Sequence, residues 1–306
     1  TLSHSSAASD VYKRQDDISW VVNLRYAQIT PVFEFFTWLG YRDFLFLFIP
    51  FIYWCFDRKT FGRLVLLVFF AALINTWLKD FFQDPRPDPS LSIDPWLHDN
   101  QSYGFPSGHS QLAVIIWLYI VLNVENSLVR IFSLISLVCV PLSRLYLGVH
   151  DLSDIFGGLS IGLIILFTAQ FIFQKIDGGY YIKNTTQFII ISCTLILFYI
   201  TWPLTSTISV VISFSGFIIG FWFGHQLDDR NFRFSRIQNT YLHYLSSVIA
   251  LLGFLMINNL INSMVNHFEL SSLFTDFITS TILGFYISFF ALYVLSKIKL
   301  QSRMKV

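Results

Sequence analysis

Long apolar segments alternate with short polar connections along most of the 306-residue chain. An α-helix needs about 20 residues to cross the hydrocarbon core of a bilayer, and nine of the segments approach or reach that length. They cover residues 44–57, 63–82, 108–124, 129–147, 152–174, 187–203, 206–224, 243–262 and 274–297. The pattern therefore predicts an all-α fold, a polytopic membrane helical bundle of about nine spans.

The chain before the first span has a different pattern. Residues 19–40 mix aromatic and apolar side chains with Arg25 and Glu34, which is typical of a helix lying in the membrane interface. Residues 1–18 contain no apolar stretch of the kind found in a signal peptide, so we expect a disordered or non-native leader there.

Composition agrees with a membrane protein and excludes several other classes. Hydrophobic residues make up 54% of the chain and charged residues only 13%, against about a quarter charged in a soluble domain. The net charge of +1 indicates no nucleic-acid partner. Cys55, Cys139 and Cys193 all lie in apolar runs, where packing is the expected role and neither a disulfide framework nor a zinc site is indicated.

Lysine and arginine residues indicate the orientation in the membrane. They concentrate in the connections 57–63, 175–185 and 225–242 and in the tail 297–305, which a chain of nine spans places on one side. The positive-inside rule assigns that side to the cytoplasm. The acidic loop 83–107 and the turn near 148–152 are then extracytoplasmic.

Glycines spaced four apart mark two spans for close helix packing. Gly158 and Gly162 share one helical face, and so do Gly216, Gly220 and Gly224. Small residues at this spacing let neighbouring helix backbones approach closely in a membrane.

Polar residues that solvation does not explain occur in three clusters toward the outer side. Three of them are the cations Lys79, Arg86 and Arg144, each costly to bury without an anionic partner. Arginine presents a fork that matches phosphate oxygens, and lysine a point charge. Ser107 and Gly108 open a span, where we expect their backbone N–H groups to point at an anion. This set predicts a phosphate pocket.

Two histidines add reactive groups to this pocket. His150 and Asp154 are four residues apart, so one helical turn would bring them together. A carboxylate that accepts one ring N–H leaves the other nitrogen as a nucleophile. His109 can then protonate the leaving alkoxide and later activate water.

Three motifs carry a resemblance to a known family. They are K-x6-R-P at Lys79–Pro87, P-S-G-H at Pro106–His109 and S-R-x5-H-x3-D at Ser143–Asp154. Together they resemble the three-part signature of the type 2 phosphatidic acid phosphatase (PAP2) superfamily, which includes lipid phosphate phosphatases, glucose-6-phosphatase and vanadium haloperoxidases. Agreement at about ten fixed positions is far more specific than one short motif.

The resemblance implies a six-helix core and a role for each motif residue. His150 would be the nucleophile, Asp154 the group that orients it, and His109 the general acid and base. The phosphate would be held by Lys79, Arg86, Ser107, Gly108 and Arg144, with no metal and no cofactor. We place the PAP2-like catalytic core at residues 19–174, and residues 187–297 are then additional transmembrane helices of unknown role.

The favoured function is that of an integral-membrane, metal-independent phosphatase acting on a lipid phosphate or diphosphate through a phosphohistidine. Phosphatidic acid, phosphatidylglycerol phosphate and isoprenyl diphosphate all fit as substrates. We expect the protein in a bacterial inner (plasma) membrane among membrane lipids, with the active site extracytoplasmic and the C-terminus cytoplasmic. A homo-oligomer is left open.

Two other functions stay open on the sequence alone. One is a sugar-phosphate phosphatase resembling glucose-6-phosphatase, with Trp96, His98 or Tyr103 of the outer loop covering the substrate, although such side chains are more typical of interface anchors. The other is a non-catalytic lipid binding or transport protein on the same fold. The complete histidine pair favours an enzyme.

Overall fold

The computed structural model of the protein describes residues 17–97, 102–204, 207–228, 234–235, 240–270, 272–300 and 302–303. Residues 1–16 of the expected leader, His98 of the outer loop and the basic residues Arg230, Arg233 and Arg236 lie outside the described residues. The predicted all-α class is confirmed, because the described parts consist almost entirely of helices.

The helices follow one another in the order of the predicted apolar segments. A 3₁₀ turn at Ser19–Leu24 precedes them, and a second one lies at Pro89–Leu91. The helices are α1 (Thr30–Trp38), α2 (Arg42–Cys55), α3 (Arg58–Phe82), α4 (Gly108–Asn123), α5 (Ser127–Tyr146), α6 (Leu152–Asp177), α7 (Asn184–Ile200), α8 (Ile208–Leu227), α9 (Thr240–His267) and α10 (Leu273–Lys297). Two-residue strands, β1 (Phe234–Ser235) and β2 (Ser302–Arg303), pair antiparallel.

Each predicted span corresponds to a helix, but the helices differ in length. Six described helices are long and apolar enough to cross a membrane, namely α3, α5, α6, α8, α9 and α10. The pair α1 and α2 would make a seventh, broken by a bend of 57°. Since α4 and α7 are shorter apolar helices, the count of nine spans stays a prediction.

The segment before the first span differs from the single interfacial helix expected over 19–40. The chain instead forms the 3₁₀ turn and then α1, which ends at Trp38 just before Gly40. The Gly40 amide donates to the Thr37 carbonyl, which closes the last turn of α1. This break matters because it brings Gly40 and Tyr41 to the polar residues described below.

The chain divides into two compact units. Unit 1 comprises residues 1–45 and 74–174, and unit 2 comprises residues 46–73 and 175–306. All three sequence motifs lie in unit 1. The boundaries predicted from sequence for the catalytic core, 19–174, stay a prediction.

Glycines of α6 position α4 within unit 1. A Cβ added to Gly158 would lie 2.4 Å from the Ser107 carbonyl oxygen, and one at Gly162 would lie 2.8 Å from that of Gln111. The packing role predicted for these two glycines is thereby confirmed, because a larger residue would push the two helices apart. Asn75 of α3 donates to Gln111 Oε1 at 2.7 Å. Residues of both α6 and α3 therefore contact the start of α4.

The outer loop of unit 1 is fastened to the end of α5. Arg25 donates to the carbonyl oxygens of Tyr146 at 3.1 Å and Leu91 at 2.5 Å. The Ile93 amide donates to the Leu147 carbonyl at 3.0 Å. Gly148 sits at this junction with φ +76°, a backbone conformation that glycine adopts easily. These contacts set the loop segment 91–94 against the motif that contains Arg144.

Unit 2 has its own apolar core and its own glycine seam. Leu73, Leu195, Val211 and Ile218 form the buried cluster. The predicted packing role of the α8 glycines is confirmed, because a Cβ at Gly220 would lie 2.1 Å from the Thr281 carbonyl oxygen of α10. Gly216 and Gly224 meet the same helix at similarly short distances.

Helix α6 presents a broad apolar surface. Only 22% of its most apolar 18-residue stretch is buried, and its exposed side chains include Phe156, Ile164, Phe167 and Phe171. Such a surface is stable in lipid and not in water, where large exposed apolar patches promote association. Together with the long apolar helices, it identifies an integral membrane protein.

Replacing Gly148 with alanine should destabilise the protein. The new Cβ would lie 2.2 Å from the Leu91 carbonyl oxygen, and the left-handed backbone would itself cost about 1–2 kcal/mol. Gly179 is the matched control, since it has φ +100° but nothing within 4 Å of an added Cβ. In detergent, Gly148→Ala should lower the thermal midpoint clearly more than Gly179→Ala. Equal midpoints would contradict the packing argument.

Candidate active site

A histidine and an aspartate form a buried pair at the start of α6. Nδ1 of His150 lies 2.7 Å from Oδ2 of Asp154, and the two residues are 1% and 0% exposed. The predicted spacing thus brings them together, although His150 itself lies just before the helix. Asp151 makes this geometry possible by capping α6, because its Oδ1 accepts from the Asp154 amide at 2.9 Å.

The surroundings of His150 favour its neutral form. Burial, followed by the positive charges of Lys79, Arg86 and Arg144, holds the pKa of His150 well below its usual value. With Nδ1–H donated to Asp154, the lone pair is on Nε2. A neutral imidazole oriented in this way has the form required of a nucleophile near pH 7.

His109 lies in the first turn of α4 with one ring nitrogen unused. Nε2 is buried and has no hydrogen-bond partner within the described chain. Gly40 packs against the ring, since an added Cβ there would lie 2.3 Å from Cδ2. Tyr41 meets the ring edge-on, with ring centroids 4.7 Å apart. A buried polar atom without a partner costs free energy, so Nε2 is suited to bonding a group from outside the chain.

The helix start beside His109 departs from the expectation in one respect. The Ser107 amide does not point into open space but donates to the Asp154 carbonyl at 2.9 Å. The Ser107 hydroxyl caps α4 by accepting from the Ser110 amide and hydroxyl. Ser107 therefore ties the two motifs together, and the amides of Gly108 and His109 are the first of the helix.

Lys79 and Arg86 bond to backbone segments that precede the two histidines in the chain. Lys79 is buried and donates to the carbonyl oxygens of Tyr103 and Gly104, the latter at 3.0 Å. Arg86 donates to the Ser102 carbonyl at 2.7 Å and to the carbonyl of Val149, which precedes His150, at 3.3 Å. Burial and the nearby Arg144 lower the pKa of Arg86 from its usual value. The positive charge of both cations is thus compensated by backbone carbonyls within or next to the second and third motifs.

Arg144 is 1% exposed and lies in the last turn of α5. Its Nη1 donates to Asp94 Oδ2 at 2.5 Å, to the Tyr41 hydroxyl at 3.3 Å and to the Thr37 hydroxyl. Its Nε has no partner within the described residues. No local sequence pattern distinguishes Asp94, Tyr41 or Thr37 from similar residues nearby. A buried arginine requires a carboxylate, but the outer loop contains several, and only the fold selects one.

The polar residues share a position at the ends of four consecutive helices. Lys79 lies in the last turn of α3, His109 in the first turn of α4, Arg144 in the last turn of α5 and Asp154 in the first turn of α6. Consecutive helices that run antiparallel bring such alternating ends to one side of a bundle. The three motifs therefore form one polar site at one end of the helices of unit 1, and Trp96, 42% exposed, lies in the loop on that side.

Asp154 of the pair and two neighbouring carboxylates are close enough to share a cation. Oxygen atoms of Asp84, Asp151 and Asp154 lie within 4.8 Å of one another. Two of these carboxylates already have partners within the protein, because Asp154 pairs with His150 and Asp151 caps α6. Acidic clusters of this kind are common without a metal.

Two family models match separate parts of the chain. The model of the PAP2 superfamily matches residues 60–177, which include all three motifs. A second model, described as the PAP2 superfamily phosphatase, transmembrane extension, matches residues 212–303, entirely within unit 2.

Individual relatives are similar over part of their length. Phosphatidylglycerophosphatase B of Bacillus subtilis is 35% identical over 132 residues, 40% of this chain and 63% of that protein. Sphingosine-1-phosphate phosphatase 2 of Mus musculus is 27% identical over 214 residues, 63% of this chain and 58% of that protein. The chain thus spans less than two thirds of the length of these relatives.

A solved structure is also similar. The crystal structure of a transmembrane PAP2 type phosphatidylglycerolphosphate phosphatase from Bacillus subtilis shares 30% sequence identity, with a TM-score of 0.44, and the match covers 55% of this chain and 88% of that one.

The long apolar helices and the buried histidine–aspartate pair beside three cations define an integral-membrane helical protein with a site suited to an anion. The matches to both family models, which together cover most of the chain, identify the family. The chain belongs to the PAP2 superfamily, as the three motifs predicted.

Proposed function

We propose that the protein is a metal-independent phosphatase that hydrolyses a lipid phosphate or diphosphate through a phosphohistidine at the extracytoplasmic face of a bacterial inner membrane. The main support is the buried His150–Asp154 pair, 2.7 Å apart, among Lys79, Arg86 and Arg144. The pair supplies an oriented neutral nucleophile, and the cations supply complementary charge for phosphate.

In the first step, Nε2 of His150 attacks phosphorus and forms a nitrogen–phosphorus bond. The bond from phosphorus to the ester oxygen breaks, and the oxygen leaves with its electron pair and takes the Nε2 proton of His109, which must enter this step in its protonated form. Asp154 stabilises the positive charge that the His150 ring acquires, through the hydrogen bond at Nδ1.

In the second step, His109 accepts a proton from water while the water oxygen attacks phosphorus. The nitrogen–phosphorus bond breaks, and its electron pair returns to His150. Inorganic phosphate leaves, and both histidines regain their starting forms. The unpartnered Nε2 of His109 is suited to both proton transfers, because no group of the described chain competes for it.

Charge on the transferring phosphoryl group needs stabilisation in both steps. Lys79, Arg86 and Arg144 supply three positive charges at fixed positions, and the amides at the start of α4 supply further donors. Preformed dipoles and charges in a buried site can provide this stabilisation without a metal ion. We therefore expect no cofactor.

A lipid substrate fits the position of the site at the ends of membrane helices. The similar proteins include a phosphatidylglycerophosphatase and a sphingosine-1-phosphate phosphatase, and both names refer to a lipid that carries a phosphate ester. Entry from the bilayer would let the acyl chains stay in lipid while the headgroup reaches the polar pocket. A sugar-phosphate phosphatase and a non-catalytic lipid transporter stay as alternatives for the experiment below.

Purified protein in detergent should release inorganic phosphate from at least one of phosphatidic acid, phosphatidylglycerol phosphate and isoprenyl diphosphate, and more slowly from glucose 6-phosphate. EDTA should leave the rate unchanged. Orthovanadate should inhibit, because it mimics five-coordinate phosphorus. Faster turnover of the sugar phosphate would favour the first alternative, and no release from any substrate would favour the transporter. Inhibition by EDTA would indicate a required metal.

His150→Ala should lower turnover on the order of 10³-fold or more, since the nucleophile is lost. Asp154→Asn should lower it by roughly 10²–10⁴-fold, because the amide cannot stabilise the charged ring in the same way. His267→Ala is the matched control, since His267 is exposed at the end of α9. Near-normal turnover in His150→Ala, with wild-type thermal stability, would refute the nucleophile assignment.

The orientation is testable with cysteines in two exposed loops. Ser90 lies in the outer acidic loop, and Tyr181 lies in the connection between α6 and α7. In intact bacterial cells, Ser90→Cys should react with an impermeant thiol reagent, and Tyr181→Cys should react only after lysis. The parent protein with Cys55, Cys139 and Cys193 gives the background. The reverse pattern would invert the topology.

A further inference from the structure

Arg144 forms a buried ion pair with Asp94, a residue that belongs to none of the three sequence motifs. The two side chains are 1% and 0% exposed, with Nη1 and Oδ2 2.5 Å apart. Breaking a buried pair by removing one partner is strongly destabilising, so this contact has a large effect on where the guanidinium rests.

The contacts of Arg144 are distributed unevenly over its guanidinium group. Nη1 donates to Asp94 and to the hydroxyls of Tyr41 and Thr37. Nε is buried and without a partner in the described chain. Because the guanidinium is planar and rigid, holding Nη1 also fixes the direction of the edge that contains Nε. That edge stays available for a bidentate contact with a phosphate.

Asp94 is itself held in place by its neighbours. The Ile93 amide bonds to the Leu147 carbonyl, and Arg25 bonds to the Leu91 carbonyl at 2.5 Å. The Tyr41 hydroxyl donates to Asp94 Oδ2 at 2.6 Å. The position of Asp94 is therefore fixed by hydrogen bonds of its loop and does not depend on Arg144 alone.

Tyr41 connects this ion pair to the second histidine. Its ring meets His109 edge-on at 4.7 Å, and Arg144 Cζ lies 5.4 Å from the same ring centroid. Its hydroxyl contacts both Asp94 and Arg144. One side chain thus touches the expected general acid, the expected phosphate ligand and the carboxylate that anchors that ligand.

We propose that Asp94 and Tyr41 are positioning residues. They hold Arg144 with its Nε edge toward the phosphate and at a fixed position relative to His109. This inference rests on the proposed phosphatase function and deepens it. Neither residue touches the reacting atoms, and both act through Arg144 and His109. The opposite possibility is that Asp94 competes with phosphate for Arg144, and the experiment separates the two.

The test is binding of orthovanadate, measured by thermal shift, together with kcat and KM for phosphate release from phosphatidic acid, or from whichever of the lipid substrates above is turned over. Asp94→Asn keeps the size of the side chain but removes its charge. It should weaken vanadate binding and raise KM by about ten-fold or more, because the ion pair that holds Arg144 is reduced to a hydrogen bond with a neutral acceptor. Asp88→Asn is the matched control, since Asp88 is exposed in the same loop and its side chain accepts from the Ser90 amide and not from an arginine of the site.

Tyr41→Phe keeps the experiment decisive if Asp94→Asn does not fold. It retains the ring against His109 and removes only the hydroxyl, so it should weaken vanadate binding by several-fold, in line with the loss of one hydrogen bond. Tyr180→Phe, at an exposed tyrosine, is its control.

Vanadate binding equal to that of the controls in both variants would overturn the proposal. Tighter binding in Asp94→Asn would also overturn it and would identify Asp94 as a competitor of phosphate. Wild-type protein that binds vanadate but releases no phosphate from any substrate would refute the proposed function instead, while the vanadate comparison would still decide the role of Asp94.

Discussion

A charge buried among apolar helices is stable only beside a compensating partner, and this constraint organises the polar end of unit 1. The compensating partner of Arg144 is Asp94 of the outer loop, so the loop must be held where this carboxylate can reach the guanidinium group. The compensating partners of Lys79 are backbone carbonyls that precede the second motif. The same contacts that make burial tolerable therefore also position the loop, the start of α4 and the end of α5.

Close helix packing supplies the second condition. The first turns of α4 and α6 carry His109 and Asp154, and these turns approach because Gly158 leaves room for the Ser107 carbonyl. The Ser107 amide then bonds to the Asp154 carbonyl, which links the two turns directly. Small residues on a membrane helix thus affect the site, since they set the distance between the first turns that carry His109 and Asp154.

The positive charges serve two purposes in the proposed chemistry. Together with burial, Lys79, Arg86 and Arg144 keep the pKa of His150 low, so that the nucleophile is neutral before substrate arrives. A bound phosphate would neutralise the same charges during the reaction. One set of cations would therefore both prepare the nucleophile and stabilise the group that it attacks.

The amino-acid sequence alone determined the helical membrane class, the family and the residues of the three motifs, because apolar length and motif spacing are local properties of the chain. It also predicted which glycines pack, such as Gly158 and Gly220. Tertiary structure decided the rest. It selected Asp94 as the partner of Arg144 and brought Gly40 and Tyr41 against His109. It also paired the Ser107 amide with the Asp154 carbonyl. These contacts join residues far apart in the chain, and no local pattern encodes which of several similar side chains meets a buried charge.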